Sequence, residues 1–350
     1  AYTQADNHGA EASSTLTLTV NGRNDAPAAN ADTGSTDENQ SITVDVLGND
    51  TDVDTSDTHT VKQVNIVSGN GTVAIANNQV QWTPGTDYDY LAVGESATVQ
   101  IAYTQADNHG AEASSTLTLI VNGRNDAPVA NADTGSTDEN QSITVDVLGN
   151  DTDVDVSDTH TVKQVNIVSG QGTVAVVNNQ VQWTPGTDYD ALALNQTAIV
   201  QIAYTQSDNH AAEASSGLTL TVVGSNDAPT VGPALISKAS EEDPVYTIDL
   251  LAGAADKDAG AVLSVSGLAE SKGTKGWTLN GNVLSINPDH FDRLNDGETA
   301  VLDFNYKVVD EHGASVDQTL AVTIEGYTDA PSLAVVASAG AAVNQIRLTI

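Results

Sequence analysis

The sequence predicts an all-β protein: tandem antiparallel β-sandwiches of about 100 residues each, set in line as an elongated rod. Three observations predict it. The chain repeats itself with a period of 101 residues, marked by Asp25, Asp126 and Asp227. Within each repeat, short runs alternate apolar and polar residues with a period of two. Gly, Asn, Asp and Pro separate those runs, and no long helical period appears.

The repeat boundaries follow from the linker Asn24-Asp25-Ala26-Pro27. It returns as Asn125-Asp126-Ala127-Pro128, as Asn226-Asp227-Ala228-Pro229 and, with Thr at its head, as Thr328-Asp329-Ala330-Pro331. Residues 1–23 read as the end of a preceding repeat. Residues 24–124 and 125–225 are near copies, with Val156 for Thr55 and Ala191 for Tyr90 among their differences. Residues 226–327 are a diverged third repeat, and 328–350 open a further repeat or module. The chain begins in mid-pattern and reads as a segment of something longer. The period is too long for a solenoid, whose units run about 20–50 residues, and has the length of one immunoglobulin-like sandwich.

The strands come in order. Ser41–Leu47 alternates in and out and is followed by Val61–Val67. Thr72–Ile75 and Gln79–Trp82 flank Asn77-Asn78, a tight hairpin turn; Asn280-Gly281 takes that place in the third repeat. Thr98–Tyr103 and Ser115–Val121 close the repeat. One large aromatic per sandwich, Trp82, Trp183 and Trp277, reads as the core plug. Tyr88 and Tyr90, just before the penultimate strand, read as a corner pinned by a tyrosine hydroxyl; Phe291 and Leu294 stand there in the third repeat.

Charge narrows the function. The formal net charge is −36, from 47 Asp and Glu against 11 Lys and Arg. That disfavours nucleic acid and anionic membranes, whose phosphates need Lys/Arg clusters, and favours cations. Val, Leu, Ile and Phe supply about 23 % of the residues, just above the roughly 20 % below which charged chains disorder, so the cores are expected to be thin. There is no Cys, which excludes disulfide staples and thiolate metal sites. No apolar run approaches a membrane span, and no signal peptide is visible.

The acids gather in loops. Gly48-Asn49-Asp50-Thr51-Asp52-Val53-Asp54 recurs as Gly149–Asp155. Alternate carboxylates beside Gly and Asn suit Ca²⁺, which takes six to eight oxygens at about 2.3–2.6 Å. In a seven-stranded sandwich the linker, this loop and Ser207-Asp208-Asn209-His210 fall at one end. Asp138-Glu139-Asn140 and Thr187-Asp188-Tyr189-Asp190 fall at the other. Each junction then joins the acids of two repeats through Asn-Asp. The metal-ligand candidates on these elements are Asn24, Asp25, Asp50, Asp52, Asp54, Asp87 and Asp107 around the first repeat, and Asn125, Asp126, Asp151, Asp153, Asp155, Asp188 and Asp208 around the second. Asn226, Asp227, Asp256, Asp258, Asp310 and Asp329 complete them.

The arrangement resembles cadherins, in which a Glu early in each module, an Asp-rich linker and an Asp-x-Asp loop bind Ca²⁺ between modules. Glu38, Glu139 and Glu242 match that Glu. The Asn-Asp-Ala-Pro linkers match the linker, and Asp50/Asp52/Asp54, Asp151/Asp153/Asp155 and Asp256/Asp258 match the loop. Asp107, Asp208 and Asp310 match a further ligand late in the module. Over all three repeats the chain is similar to the cadherin-like extender repeats of large bacterial RTX adhesins, of the VCBS/tandem-repeat kind. That resemblance implies type I secretion, an extracellular stalk on the bacterial surface, Ca²⁺ as cofactor, neighbouring repeats as partners, and an adhesion ligand contacted by modules outside this segment. The family's glycine-rich nonapeptides, secretion signal and adhesive tip are absent from the sequence. Asp256-Lys257-Asp258 carries two acids where the other loops carry three, and Ala211 replaces Gly110.

Two rival readings stand beside it. His8, His109 and His210 adjoin Asp6, Asp107 and Asp208, a pairing that can serve acid–base chemistry. It recurs in register without a nucleophile elbow, which favours architecture over an enzyme, and zinc at His8 lacks a second His at ligand spacing. A Ca²⁺-dependent module binding glycan or protein through the tryptophans is the other. Near-identical neighbours favour a spacer.

Overall fold

The computed structural model describes residues 1–328. Strands make up the regular structure, apart from one 3-10 turn at Pro288–Phe291. Two compact units divide the chain. One holds residues 1–131, 146–164 and 204–216; the other holds, among the described residues, 132–145, 165–203 and 217–328.

In the first unit, β1 (Tyr2–Ala5) and β2 (Glu11–Ser14) form an isolated hairpin. The first whole repeat then supplies seven strands: β3 (Asp32–Asp37), β4 (Ile42–Val44), β5 (Thr60–Ser68), β6 (Thr72–Ala76), β7 (Gln79–Thr83), β8 (Ser96–Ala106) and β9 (Glu112–Asn122). One sheet has the order β3-β9-β8-β5 and the other β4-β7-β6. The sheets are not wholly antiparallel as expected. Edge strand β3 pairs in parallel with β9, Asp32 opposite Leu117 and Asp37 opposite Asn122. Both strands run from the linker end to the far end of the sandwich, so neighbours at that edge point the same way. Only Ile42–Val44 of the expected Ser41–Leu47 strand joins a ladder; Asp45 Oδ1 then accepts the Leu47 N–H (3.2 Å) and turns the chain into the acidic loop.

Alternation builds the core. Val99, Ile101 and Tyr103 on β8 share one side of the sheet with Leu117, Leu119 and Val121 on β9, all buried with Trp82 and Val80 from the opposite sheet. Trp82 is fully buried; its Nε1 donates to Asn70 O (3.1 Å), and the Tyr88 hydroxyl accepts the Asn70 N–H (2.7 Å). These bonds hold the Gly69–Gly71 loop against the core. A Cβ at Gly71, whose φ is +96°, would lie 2.6 Å from Thr83 O. The corner tyrosine is therefore Tyr88; Tyr90 is largely exposed. Tyr103 is a second pin, donating toward Asn30 O (2.8 Å), Asp32 Oδ2 (3.0 Å) and Val46 O (3.1 Å).

The second repeat repeats this pattern with β10 (Asp133–Asp138), β11 (Ile143–Val145), β12 (Thr161–Ser169), β13 (Thr173–Val177), β14 (Gln180–Thr184), β15 (Thr197–Ser207) and β16 (Glu213–Val223). The third does so with β17 (Leu235–Ser240), β18 (Tyr246–Asp249), β19 (Ser264–Glu270), β20 (Trp277–Asn280), β21 (Val283–Ile286), β22 (Thr299–Val309) and β23 (Ser315–Glu325). Its hairpin turn is Gly281-Asn282, one residue beyond the expected Asn280-Gly281. Asn280 stays in β20 opposite Val283, and Asn282 Oδ1 accepts the Val265 N–H (2.9 Å) as Asn78 Oδ1 accepts that of Val61 (2.8 Å).

Candidate metal centres at the repeat junctions

The linker is tied down by carboxylates of the repeat that follows it. Asp54 Oδ2 accepts the Asp25 N–H (2.8 Å), Asp155 Oδ2 that of Asp126 (2.8 Å), and Asp258 Oδ2 that of Asp227 (3.0 Å). Asn24, Asn125 and Asn226 donate their side-chain amides to Asp107, Asp208 and Asp310 (2.8–2.9 Å). Each of those three aspartates also accepts two backbone N–H groups of its own hairpin turn, such as His109 and Ala111 for Asp107. Asn24 leads the causes that hold the Asp107 carboxyl below its ordinary range. Burial pushes Asp208 and Asp310 up, but the Asn amides and backbone N–H groups outweigh it and hold both low. These carboxylates are charged by design of their donors. Ala211, in place of Gly110, keeps the left-handed backbone (φ +75° against +91°), so this turn is preserved.

The preceding repeat adds its early Glu. Glu38 is fully buried, and its Oε1 accepts the Arg124 N–H (2.9 Å). Glu139 is fully buried, and its Oε1 accepts the N–H and Oγ–H of Ser225 (3.0 and 2.9 Å). In the third repeat this residue is Glu241, not the expected Glu242. Glu241 is buried, donates its N–H to Glu325 O (3.0 Å) and accepts the Tyr327 N–H, whereas Glu242 is exposed. The repeat has gained one residue ahead of it, and two adjacent glutamates hid the shift.

At the second junction a ligand oxygen from each of Glu139, Asp227 and Asp258 lies within 4.8 Å of the others. Glu139 Oε2, Asp227 Oδ2 and Asp258 Oδ1 are buried without a hydrogen-bond partner, as are Asn226 Oδ1 and Asp256 Oδ2. At the first junction Glu38 Oε2, Asp89 Oδ1, Asn125 Oδ1, Asp155 Oδ1 and Asp158 Oδ1 are in the same condition. Burial, followed by Asp126, Asp155 and Asp89, pushes the Glu38 carboxyl up to about 7 against the opposing Arg124 bond. Burial likewise raises Glu139, Asp126, Asp155 and Asp258, with neighbouring carboxylates adding to it. Two further groups hold candidates: Asp57, Asp107 and His109, and Asp153, Asp158 and Asp208. Uncompensated buried carboxylates are costly, and an all-oxygen donor set fits a hard divalent cation. Glu139, Asp227 and Asp258, with Asn226, would hold one at the second junction; Glu38, Asp126, Asp155 and Asn125 are their counterparts at the first.

Several expected ligands also carry hydrogen bonds of the scaffold. Asp50 and Asp151 fasten the strand after the linker, each accepting the N–H of Asn30 or Asn131 (2.6 Å). The third repeat has Ala254 at that place, since Ala254 N–H reaches Leu251 O as Asp50 N–H reaches Leu47 O. Its missing third acid therefore removes an anchor. Asp87 and Asp188 accept the N–H groups of Gly71 and Gly172 (3.0 Å), while their neighbours Asp89 and Asp190 turn to the junction. Asp52 and Asp153 face His59 and His160 (3.3 and 2.9 Å). Asp25 and Asn24 are exposed, whereas Asn125, Asp126, Asn226 and Asp227 are half-buried by the sandwich before them. Asp256 and Asp258 stay in the second cluster's loop, and Asp329 lies outside the described residues. Asp57, Asp158 and Asp89 went unread in the sequence, and Asp190 was placed at the junction end without being named a ligand, although their recurrence 101 residues apart was there to use.

The family model for the bacterial cadherin-like domain matches residues 24–123 and 125–224, and that for the cadherin-like domain matches 225–325. The chain belongs to the bacterial cadherin-like family. Solved structures similar to these cadherin-like repeats include protocadherin gamma B2 extracellular cadherin domains 1–5, with TM-score 0.54 and 14 % identity over 87 % of this chain and 61 % of that one. Mouse cadherin-23 EC22–24 has TM-score 0.53 and 17 % identity, over 88 % of this chain and 100 % of that one. The protocadherin gamma B4 extracellular domain has TM-score 0.51 and 17 % identity, over 87 % and 51 %. The chain thus spans less than two thirds of either protocadherin. At these identities the likeness is one of fold. No curated protein matches the chain. Among the described residues no helix is long and apolar enough to cross a membrane.

Proposed function

We propose that this chain is a Ca²⁺-rigidified extender: the stalk region of a giant secreted bacterial adhesin of the RTX kind, reached by type I secretion. On this reading it is extracellular and projects a ligand-binding tip, outside this segment, for surface or cell–cell adhesion and biofilm formation. One observation carries the reading. Buried carboxylate oxygens without partners converge where one sandwich meets the next, at Glu139, Asp227 and Asp258 above all. A divalent cation there would neutralise them and join two modules that lack any disulfide staple. Family membership and the extracellular neighbours named above support the setting. The work of such a stalk is mechanical, so no group is assigned a catalytic role. The rival in which the sandwiches bind glycan on their tryptophans loses its platform in the first two repeats, because Trp82 and Trp183 are fully buried.

Chelation tests the reading. At free Ca²⁺ tenfold above Kd each independent site adds about 1.4 kcal/mol, so removing Ca²⁺ should lower Tm steeply, and Mg²⁺, with its small octahedral shell, should restore little. An unchanged melting curve in chelator rejects the metal. A compact particle by small-angle scattering in excess Ca²⁺ rejects the rod. Metal-free protein should also show Glu38. Its folded pKa of about 7 lies above the ordinary 4.5, so its contribution to stability is full below about 4.5 and lost as pH rises through about 7. Saturating Ca²⁺ should suppress that loss.

A further inference from the structure

The two junctions share one plan, but at one position of the loop the second junction carries a charge where the first carries an apolar side chain. Val154 stands between Asp153 and Asp155 at the first junction; Lys257 stands between Asp256 and Asp258 at the second. The lysine reaches back from the third repeat to the second, where its Nζ lies 3.1 Å from Asp190 Oδ2. The counterpart of Asp190 at the first junction is Asp89, whose Oδ1 is buried with no partner. Asp190 shows no such orphaned oxygen. Beside this ion pair, Ala259 donates its N–H to Ala191 O (3.0 Å), a second direct bond from the third repeat to the second.

We infer that the Lys257 ammonium occupies one cation position of the second junction, so that this junction takes one Ca²⁺ fewer than the first and keeps part of its tie when Ca²⁺ is withdrawn. The inference rests on the Ca²⁺ reading above and says how the two junctions differ under it. An ammonium is a compact point charge that neutralises a carboxylate where a divalent ion would otherwise sit. Lys257 stands between Asp256 and Asp258 and against Asp190, beside the acids that form the cluster. The loop has changed in step. Asp57 N–H reaches Asp54 O as Ala261 N–H reaches Asp258 O, so Ala261 stands where Asp57 and Asp158 stand in the other repeats. Glu311 replaces Asn108 and Asn209 nearby, but its Oε2 is taken by the Val262 N–H (2.7 Å). An ion position survives, because Glu139 is fully buried with Oε2 unpartnered, and one of its carboxylate oxygens lies within 4.8 Å of those of Asp227 and Asp258. The second junction is then a mixed one, part lysine and part metal.

The test counts bound Ca²⁺ on the full chain by equilibrium dialysis at saturation. Lys257→Val should raise the count by about one ion per chain, and Val154→Lys should lower it by about one, as expected if one ammonium and one Ca²⁺ compete for the same carboxylates. Circular dichroism in excess Ca²⁺ checks that both variants fold; Lys257→Gln, which removes the charge but keeps a polar side chain, replaces Lys257→Val if that variant does not. A count unchanged by loss of the lysine overturns the inference while leaving the Ca²⁺ reading intact. A wild-type chain that binds no Ca²⁺ overturns both.

Discussion

The first and third repeats solve one packing problem in two ways. In the first, Val73 on β6 faces Trp82 on β7; in the third, Trp277 on β20 faces Ile286 on β21. The tryptophan has crossed the hairpin. Directly opposed residues of an antiparallel pair share a face, so large and small side chains can trade strands without moving the backbone. Trp277 is consequently not the plug expected from its sequence: it is half-buried and sits edge-on to Phe304 (5.3 Å, 88°), while Ile286 takes the fully buried place of Trp82. A second exchange accompanies it. Gly34, Leu119 and Ile42 meet in the first repeat, and a Cβ on Gly34 would come within 2.8 Å of Leu119 Cδ2. The same register places hold Ser237, Val322 and Tyr246 in the third, with Ser237 Oγ 3.1 Å from the Tyr246 hydroxyl. Volume is conserved by groups of residues, as close packing requires.

The largest effect should come from the plug itself. Trp82→Ala should cost the first repeat about 3–5 kcal/mol, read as hydrogen-exchange protection lost from β7 and β8 while that of β21 and β22 holds. The comparison is sharpened by Val73→Trp combined with Trp82→Ile, which should be more stable than the sum of the two single changes by about 0.5–3 kcal/mol; strict additivity would break it. Next comes Gly34→Ser, expected to cost about 1–3 kcal/mol through overpacking and to be relieved by Leu119→Val in the same chain. Failure of that rescue would mean that Ser237 and Val322 are not a matched pair. The smallest is Tyr88→Phe, which strands the Asn70 N–H and should cost about 1 kcal/mol, whereas Phe291→Tyr in the third repeat should not stabilise. Equal denaturant midpoints for Tyr88→Phe and the parent would show that the hydroxyl is idle.

Periodicity made much of the site legible. Recurrence at fixed spacing singled out Glu38, Asn125 and Asp126, and a two-layer sandwich brings such positions to one junction. What it did not resolve were choices between adjacent acids. Asp87 and Asp89 flank Tyr88, and only the direction of the turn sends one to Gly71 N–H and the other to the junction. Asp50 and Asp57 bracket the acidic loop alike, yet one anchors Asn30 and the other meets His109. Glu241 and Glu242 are told apart by ladder register alone.

The chain carries a control for this division in residues 1–22, which differ from 102–123 only in Thr19 against Ile120. Both copies form the same hairpin turn. Asp6 Oδ1 accepts the N–H groups of His8 and Ala10 as Asp107 Oδ1 accepts those of His109 and Ala111. That turn is a property of the sequence, because a side chain satisfies backbone donors two and four residues away. The strand after it is not. Leu117, Leu119 and Val121 are fully buried within β9, whereas Leu16, Leu18 and Val20 are exposed, in a stretch with no strand. An apolar run becomes a strand only where β3 and β8 supply its ladder and the facing sheet removes it from water, since an unpaired strand gains neither hydrogen bonds nor burial to offset its lost entropy. The sequence alone determined the turns, the period and the oxygen-rich ends; the tertiary structure decided which strands form and which carboxylates are left buried without a partner.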